Sequence, residues 1–444
     1  MVCAVIPAGP LIGLLLAAVP LFALSGVLPV LPAVGIGMML AALALGLADT
    51  MLSGRGDRVE VTRQVSEILS LGAQNRVTIV VRNHTGRRLR LQIKDDPPEG
   101  FDASQRLHPL TLAPWQSTSV SYLTTPHARG DHEFGDLHLR GLSRLRLGWW
   151  QRRVAAGTTV RVYPNLQQLR EFDARARRGR LEDLGLRTAQ ARGEGTEFES
   201  LREYVPDDSF RHIDWKATAR RNAPITRQYQ AERNQTLLLL LDAGRMMGAP
   251  AGDEGSRMSR IDHAINAALM LAHVAGRMGD TVGLLAFSDR VKTFVPPSRG
   301  GAEAQRMLEE LYALEAELVE PDFRAAVTFL RARARKRAMI CAFTDLVDPD
   351  VSAAALSYLS SLRPRHLPVV ATIRDERVEA LAAASPATTA DAYAKAVAAR
   401  TVAERDVALA RLRGHGVLVC DATAEDLPAA VINRYLSIKR RGLL

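Results

Sequence analysis

Two acidic residues of this chain each follow a strongly apolar run, which makes them candidates for a shared site. Asp242 follows the five leucines at 237–241, and Asp345 lies just beyond the apolar run at 338–343. Short apolar runs that alternate with helical patterns are typical of buried parallel strands. Parallel strands end at one edge of a sheet, so the carboxylates lie close together if the strands are neighbours. Close carboxylates repel unless a cation or a basic group lies between them, so the first candidate is a metal site or a basic group in its place.

The stretch 193–220 is the second candidate, because charged and aromatic residues alternate closely in it. The spacing of its large apolar side chains predicts that they are buried: Phe198, Leu201, Tyr204, Ile213 and Trp215. Its charged residues are Glu197, Arg202, Glu203, Asp207, Asp208, Arg211, Asp214, Lys216 and Arg220. Such a mixture favours a structural ion-pair network over an acid/base active site. A docking surface with Tyr204 and Trp215 as anchors is the third interpretation.

The same stretch resembles the signature of the domain-of-unknown-function-58 family, bacterial membrane proteins with a von Willebrand factor A-like domain. The matching residues are Gly193, Gly195, Glu197, Phe198, Leu201, Arg202, Tyr204, Pro206, Asp208, Arg211, Ile213, Asp214, Trp215, Lys216, Ala217, Ala219 and Arg220. Asp207 and Ser209 stand where the family has Gly and Asp. The strand and helix order of 236–442 and the C-terminal sequence are also similar, so the resemblance covers nearly the whole chain.

The resemblance also implies how a metal site would be built. In von Willebrand A-like domains Mg²⁺ is bound by an Asp-x-Ser-x-Ser loop, a threonine and a second aspartate. Here Gly244 and Met246 stand at the two serine positions, and Mg²⁺ prefers near-octahedral oxygen ligation. We therefore expect Asp242, Gly244, Arg245, Met246 and Asp345 to form a degenerate site without a functional metal or other cofactor; weak Mg²⁺ binding at the two aspartates is disfavoured. Arg245 is expected to take the place of the cation.

The N-terminus predicts a membrane anchor. Residues 1–48 contain no charged side chain and no histidine. A spanning helix needs about 20 apolar residues, so this run has room for two, at 4–24 and 27–47, with Ser25 and Gly26 in the turn. The positive-inside rule places the chain after Arg55, Arg58 and Arg63 in the cytoplasm. We expect a two-span protein of the inner (plasma) membrane whose termini and bulk are cytoplasmic.

Three further segments follow the predicted transmembrane helical hairpin at 1–49. Residues 50–164 contain short alternating runs and frequent turn signals, which predict a β-sandwich. Residues 165–235 form a linker that carries the signature. Residues 236–444 alternate strands and helices, which predicts an α/β fold with a doubly wound parallel sheet. The resemblance identifies this last domain as von Willebrand A-like.

Composition narrows the functional classes. Cys3, Cys341 and Cys420 lie far apart, which gives neither a disulfide framework nor a metal-ligand spacing. No P-loop and no nucleophile-elbow motif occurs. The net charge of +10 suits an anionic membrane surface or nucleic acid. The basic run at 331–337 keeps nucleic acid as an alternative, but it lacks interleaved aromatic residues and fits the end of a helix.

The resemblance directs the functional hypothesis. Von Willebrand A-like domains usually bind proteins rather than turn over substrates, and members of the family resemble companions of MoxR-type AAA+ ATPases. A membrane-anchored adaptor or chaperone-like partner of such an ATPase, without enzymatic activity, is therefore expected. The alternatives are a hydrolase that uses the acidic rim of the sheet, or a binder of anionic lipid or nucleic acid.

Overall fold

The computed structural model describes residues 6–24, 28–53, 56–164, 197–205, 210–221, 223–230, 235–252, 258–299, 301–346 and 349–443. The chain divides into two compact units, Met1–Tyr163 and Pro164–Leu444. The first unit contains apolar helices and a β-rich region, and the second contains a sheet of mostly parallel strands. The coarse prediction of a β-rich segment followed by an α/β domain is therefore confirmed.

The N-terminal helices differ from the two predicted spans. They are α1 (Gly9–Leu16), α2 (Val19–Ala23) and α3 (Leu31–Leu52). Among the described residues α3 alone is long and apolar enough to cross a membrane, with 22 residues and a mean hydropathy of 2.1. The expected first span is two short helices instead, because a proline at position 20 cannot donate to, and crowds, the carbonyl of Leu16, where α1 ends. The predicted turn at 25–26 lies outside the described residues, and the two-span arrangement stays a prediction.

Strands β1 to β12 form the β-rich region. Their bounds are Ile6–Pro7, Val59–Gln64, Ile68–Ser70, Asn75–Asn83, Leu89–Lys94, Phe101–Ala103, Leu107–Leu112, Ser117–Pro126, Gly130–Phe134, Leu137–Leu142, Gly148–Val154 and Thr158–Tyr163. They pair in the orders β1-β11-β10-β5-β7, β2-β4-β8-β6 and β3-β12-β9. Alternate residues of β4 and β5 are buried, which is the period-two pattern that the sequence predicted.

A buried polar cluster lies inside this region. The Arg63 guanidinium pairs with Asp95 and also donates to the carbonyl oxygens of Ala156 and Gly135. The Tyr122 hydroxyl donates to Asp95 at 2.7 Å. Arg63, which we counted among the positive charges that orient the anchor, is thus a core residue whose charge is neutralised internally.

The signature region, within the second unit, forms a pair of antiparallel strands with one short helix between them in sequence. Strands β13 (Glu197–Glu203) and β14 (Ile225–Gln230) pair antiparallel, and α4 (Trp215–Arg221) lies between them in sequence. All three elements lie within residues 165–235, the segment predicted as a linker that carries the signature. A short 3₁₀ turn, Phe210–His212, precedes α4.

The large sheet contains β15 to β20, at Thr236–Asp242, Thr281–Phe287, Val291–Ser298, Met339–Phe343, Leu367–Ile373 and Leu418–Ala422. The accompanying helices α5 to α11 are Arg260–Arg277, Gly301–Tyr312, Phe323–Arg333, Pro349–Ser360, Glu376–Ala383, Thr389–Gly414 and Leu427–Arg440. The strand order is β17-β16-β15-β18-β19-β20, and every neighbouring pair is parallel except β16 with β17. Helix α9 was not predicted, because its eight residues are too few to establish a helical periodicity.

This topology places β15 beside β18. From β15 the chain first adds β16 and β17 on one side, and then crosses to add β18, β19 and β20 on the other. The order of strands therefore reverses between β15 and β18. In open parallel sheets the crevice at such a reversal, outside the carboxyl ends of the strands, is the usual place for a functional site. Asp242 ends β15, and Thr344 and Asp345 follow β18, so all three residues lie at this point.

Candidate functional site

Asp242 is held at the end of β15 by two hydrogen bonds. Its side chain is buried; Oδ1 accepts from the backbone N–H of Gly244 at 2.7 Å, and Oδ2 accepts from the Thr344 hydroxyl at 2.6 Å. Removal of water from the carboxylate raises the pKa of Asp242 to about 6, although the donors at Thr344 and Gly244 act in the opposite direction. The Thr344 bond joins β15 to the end of β18 across the reversal point.

Asp345 is paired with Arg260, the first residue of α5. The Arg260 guanidinium donates to Asp345 and, at 2.9 Å, to Asp375. The other Asp345 oxygen accepts from the backbone N–H of Leu346 at 2.8 Å. Only 6% of the Arg260 side chain and 2% of the Asp345 side chain are exposed. Both oxygens of each rim aspartate, Asp242 and Asp345, are therefore occupied by donors of the protein itself.

The arginine at the rim is not the one that we expected. Arg245 is exposed, and its guanidinium lies 3.4 Å from Glu320. Arg260 instead reaches Asp345 because α5 begins beside the rim, where Ser259 and Asp262 form a reciprocal capping box. The sequence signal for this start was Ser259 followed three residues later by an acidic residue; nothing local indicated which carboxylates Arg260 would reach.

Packing around Gly244 explains why the loop carries no hydroxyl there. A Cβ atom at Gly244 would lie 2.8 Å from Cδ of Pro321 and 3.1 Å from the carbonyl oxygen of Val319. The loop is fixed against this segment because the N–H of Arg245 donates to Val319 at 2.9 Å. A serine at position 244 would therefore require backbone movement, and Met246, half-buried beside it, has no oxygen to offer.

The rim encloses little free space. The cavity lined by Met247, Arg260, Thr344 and Asp345 has a volume of about 10 Å³. That volume is roughly what one water molecule needs. Across the described part of the chain, no group of three or more His, Cys, Asp or Glu residues is arranged to hold a metal ion. The geometry here fits a closed polar core better than an open binding site.

The signature stretch is anchored by Asp214, which caps α4. One oxygen of Asp214 accepts from the backbone N–H groups of Lys216 and Ala217, each at 3.0 Å, and the other accepts from Arg227 at 2.9 Å. The Ala217 N–H, together with the Arg227 guanidinium, lowers the pKa of Asp214. The acidic residue that we grouped with the charged signature thus has a structural task, which ties α4 to β14.

The aromatic residues of the signature are more exposed than the sequence predicted. Trp215 is 70% exposed and Phe210 is 73% exposed, whereas Ile213 is buried as expected. Tyr204 is half-buried, and its ring centroid lies 5.6 Å from that of Phe210. The predicted burial of both Trp215 and Leu201 was wrong: Trp215, the first residue of the short helix α4, faces solvent, and Leu201 on β13 is 38% exposed.

The structure describes some of the remaining signature residues. Arg202, Lys216 and Arg220 are exposed, which places basic side chains on the same segment as Trp215. Asp208 lies outside the described residues, and so do the side chains of Glu197, Phe198 and Arg211. Their predicted roles stay predictions.

The basic run at 331–337 is held by contacts inside the second unit. Arg331 donates to the carbonyl of Ser361 at 2.7 Å, and Arg337 donates to that of Leu443 at 3.0 Å. The Arg333 guanidinium lies over the Phe329 ring, 3.8 Å from its centroid. These positions at the end of α7 support the structural interpretation of the run over a nucleic-acid surface.

Comparison with known proteins finds a family match over a segment that contains most of the signature. Residues 200–409 match the family described as "Protein of unknown function DUF58", which confirms the resemblance predicted from the signature. The chain is 25% identical over 279 residues to the uncharacterized protein YeaD of Bacillus subtilis, covering 60% of this chain and 65% of that protein's length. It is 26% identical over 270 residues to the uncharacterized protein Rv1480 of Mycobacterium tuberculosis, covering 57% of this chain and 82% of that protein.

Two solved structures align with this chain at low TM-scores. The conserved hypothetical protein BatB from Bacteroides thetaiotaomicron aligns with a TM-score of 0.28 at 11% identity, over 46% of this chain and 98% of that chain. A CARDB domain from Pyrococcus furiosus, solved in complex with di-metal ions, aligns with a TM-score of 0.18 at 11% identity, over 23% of this chain and 86% of that chain.

The buried pair at the rim yields a stability prediction. Arg260→Ala leaves the Asp345 carboxylate buried without its cation, so we expect the free energy of unfolding to fall by about 3–5 kcal/mol. Arg245→Ala is the matched control; its guanidinium is exposed, and we expect a change within about 0.5 kcal/mol. Denaturant unfolding of the detergent-purified chain measures both. Equal effects of the two substitutions would contradict the assignment of Arg260 as the rim cation.

The perturbed carboxyl of Asp242 yields a pH prediction. Its folded-state pKa of about 6 exceeds the unfolded value of 3.8, so the native state binds more protons between these values and stability falls as the pH rises through them. Asp242→Asn removes this loss, and relative to the unsubstituted chain the variant should gain about 2–3 kcal/mol between pH 4 and pH 7. Unfolding curves at each pH test this, with the exposed Asp406→Asn as the control that shows no such gain.

Proposed function

We propose, on the premise that residues 200–409 belong to the DUF58 family, that this chain is a membrane-anchored protein-binding adaptor or chaperone-like partner of a MoxR-type AAA+ ATPase. In this proposal the six-stranded sheet belongs to a von Willebrand A-like domain. In sequence it follows a β-sandwich and a two-helix hairpin in the inner membrane. The bulk of the chain is cytoplasmic. The observation that carries the proposal is the rim occupied by Arg260 together with exposed aromatic residues on the signature.

The occupied rim supports binding rather than catalysis. A catalytic carboxylate must be able to accept a proton from a substrate or to ligate a cation. Asp242 and Asp345 have both oxygens engaged by protein donors, and the cavity beside Asp345 admits about one water molecule. The hydrolase alternative therefore needs a catalytic group elsewhere in the chain.

The exposed signature aromatics support a protein partner. Trp215 and Phe210 are large apolar side chains held in solvent, close to the exposed basic residues Lys216 and Arg220. Tryptophan, tyrosine and arginine are the residues that most often dominate binding energy at protein interfaces. An acidic, apolar-containing surface on the partner is the chemistry that fits this segment.

The anchor rests on α3. Its 22 residues extend about 33 Å, close to the roughly 30 Å hydrocarbon thickness of a bilayer. Exposed Arg58 follows it, and a positive charge there supports a cytoplasmic location for the rest of the chain. Helices α1 and α2 pack against α3. Leu11 of α1 lies so close to Gly46 of α3 that a Cβ atom added at Gly46 would be 2.8 Å from Cδ2 of Leu11. This close helix packing supports a hairpin in the membrane.

The adaptor proposal predicts that an AAA+ ATPase is recovered with the chain from native membranes in mild detergent. Trp215→Ala should lower that recovery by about 30-fold, because truncation of an interface anchor costs roughly 2 kcal/mol or more. Quantitative mass spectrometry of the purified material, with and without ATP, measures the effect.

Trp115→Ala is the matched control for that experiment. Trp115 is 71% exposed, nearly the same as Trp215, but it lies in the first unit. Recovery of the ATPase should be unchanged in this variant. Absence of any AAA+ ATPase under either nucleotide condition, or equal loss in both tryptophan variants, would contradict the proposed interface.

The degenerate rim predicts the outcome of a metal titration. Calorimetry of the full chain with MgCl₂ should show no saturable binding in the micromolar range. Gly244→Ser should not create such binding. The added side chain would collide with Pro321 and Val319, so its hydroxyl oxygen could not take the position of a Mg²⁺ ligand. Micromolar binding in the unsubstituted chain that Asp242→Ala abolishes would overturn this part of the proposal.

A further inference from the structure

The end of α3 is fastened to the β10–β11 turn. Asp49, in the last turn of α3, accepts hydrogen bonds from the Ser143 hydroxyl and from the N–H groups of Leu145, at 2.9 Å, and Leu147, at 3.3 Å. The Ser53 hydroxyl accepts from the N–H of Arg144 at 2.8 Å. The β-rich region is therefore held directly against the end of the apolar helix, and residues near this turn lie at one defined depth relative to α3.

Two cavities open at this junction, and both are lined by arginines. Their volumes are about 520 and 530 Å³. They share Ser53, Arg87, Leu89, Arg144 and Trp150, so they form one continuous depression. The arginines that line one or both are Arg58, Arg87, Arg88, Arg90, Arg144 and Arg146. Pockets of this size are large enough for a small ligand or a lipid headgroup.

The depression carries an excess of positive charge. Asp57 is the acidic residue in its lining, and the nearby Asp49 carboxylate, which accepts hydrogen bonds from the turn, can compensate only one more of the six arginines. Burial, together with the neighbouring Arg144 and Arg58, lowers the pKa of Arg87. These like charges repel one another unless an anion lies between them.

Arg87 shows where an anion would bind. Its Nη2 donates to the carbonyl oxygen of Ser53 at 2.6 Å, while its Nη1 is buried and has no hydrogen-bond partner among the described residues. A buried donor without a partner is costly, and an anion with several acceptor oxygens would satisfy it. Guanidinium groups match phosphate oxygens in a paired, planar geometry, which makes phosphate the anion of choice here.

We propose that the arginines around Arg87 form a binding site for a phosphate ester, supplied by the headgroup of an anionic phospholipid beside α3. This inference rests on the proposed membrane anchor. Because α3 is about as long as the hydrocarbon layer is thick, its end at Asp49–Ser53 lies at headgroup level. Met51 and Leu52, both exposed at that end, face the same surroundings as the acyl chains. A soluble phosphate ester offers the same chemistry and is the other source to test.

The experiment compares lipid binding by the full chain in detergent, measured by native mass spectrometry with added phosphatidylglycerol or phosphatidylcholine. The test variant is the double substitution Arg58→Gln and Arg144→Gln, since both side chains are exposed and neither makes a described core contact. We expect phosphatidylglycerol binding to weaken about 30-fold, since each arginine near an anionic surface contributes roughly fivefold. Binding of zwitterionic phosphatidylcholine should change far less.

Arg76→Gln is the matched control, since Arg76 is exposed at the opposite end of β4 from the strand end that leads to Arg87. It should bind phosphatidylglycerol like the unsubstituted chain. Equal binding by the double variant and the unsubstituted chain would overturn the site, provided that the two melt at the same temperature. If the double variant is unstable, Arg144→Gln alone, with about a fivefold loss expected, gives the decision.

Two further measurements separate the sources and the premises. Displacement of phosphatidylglycerol by millimolar inorganic phosphate would assign the site to soluble phosphate, whereas resistance to it would assign the site to lipid. Washing native membranes with alkaline carbonate tests the anchor independently: release of the chain contradicts the anchor. Retention of the chain, combined with unchanged lipid binding in the double variant, contradicts only the arginine site.

Discussion

The buried ion pair between Arg260 and Asp345 is the interaction on which the carboxyl edge of the sheet depends. Two aspartates end adjacent strands at the point where strand order reverses, and a buried carboxylate is tolerated only when a cation or a proton compensates it. The protein uses both forms of compensation, the cation and the proton. Arg260 compensates Asp345, and a raised pKa lets Asp242 hold a proton up to about pH 6. In both cases the compensating group is supplied within the protein itself: a guanidinium for Asp345 and a bound proton for Asp242.

At the junction at the end of α3 the charges in excess are positive, because six arginines line the depression there. There Asp49 accepts hydrogen bonds from a hydroxyl and two backbone N–H groups, and with Asp57 it compensates only part of the charge of the six arginines around it. Deeper in the same unit Arg63 and Asp95 neutralise each other completely. The contrast within one unit distinguishes an arginine that stabilises the fold from a group of arginines that remains able to bind an anion.

Docking by the signature and closure of the rim are consistent with one another. If the partner does not bind at the sheet edge, recognition must rely on another surface. Trp215 and Phe210 provide exposed apolar area in the segment that matches the family. Asp214 fixes that segment by capping α4 and pairing with Arg227. Among the charged signature side chains that the structure describes, Asp214 is therefore structural, whereas Arg202, Glu203, Lys216 and Arg220 are exposed.

The sequence by itself determined the β-rich segment, the alternating strands and helices, the apolar helix α3 and the loss of hydroxyl groups at Gly244 and Met246. These follow from local periodicity and residue type, which act over a few positions. Only the tertiary structure decided that Arg260 rather than Arg245 meets Asp345, that Trp215 faces solvent, and that arginines gather beside Asp49. The physical reason is sequence separation: Arg260 meets Asp345 across 85 positions, and Ser143 meets Asp49 across 94. No local pattern encodes which of several like-charged side chains such a distant carboxylate will meet.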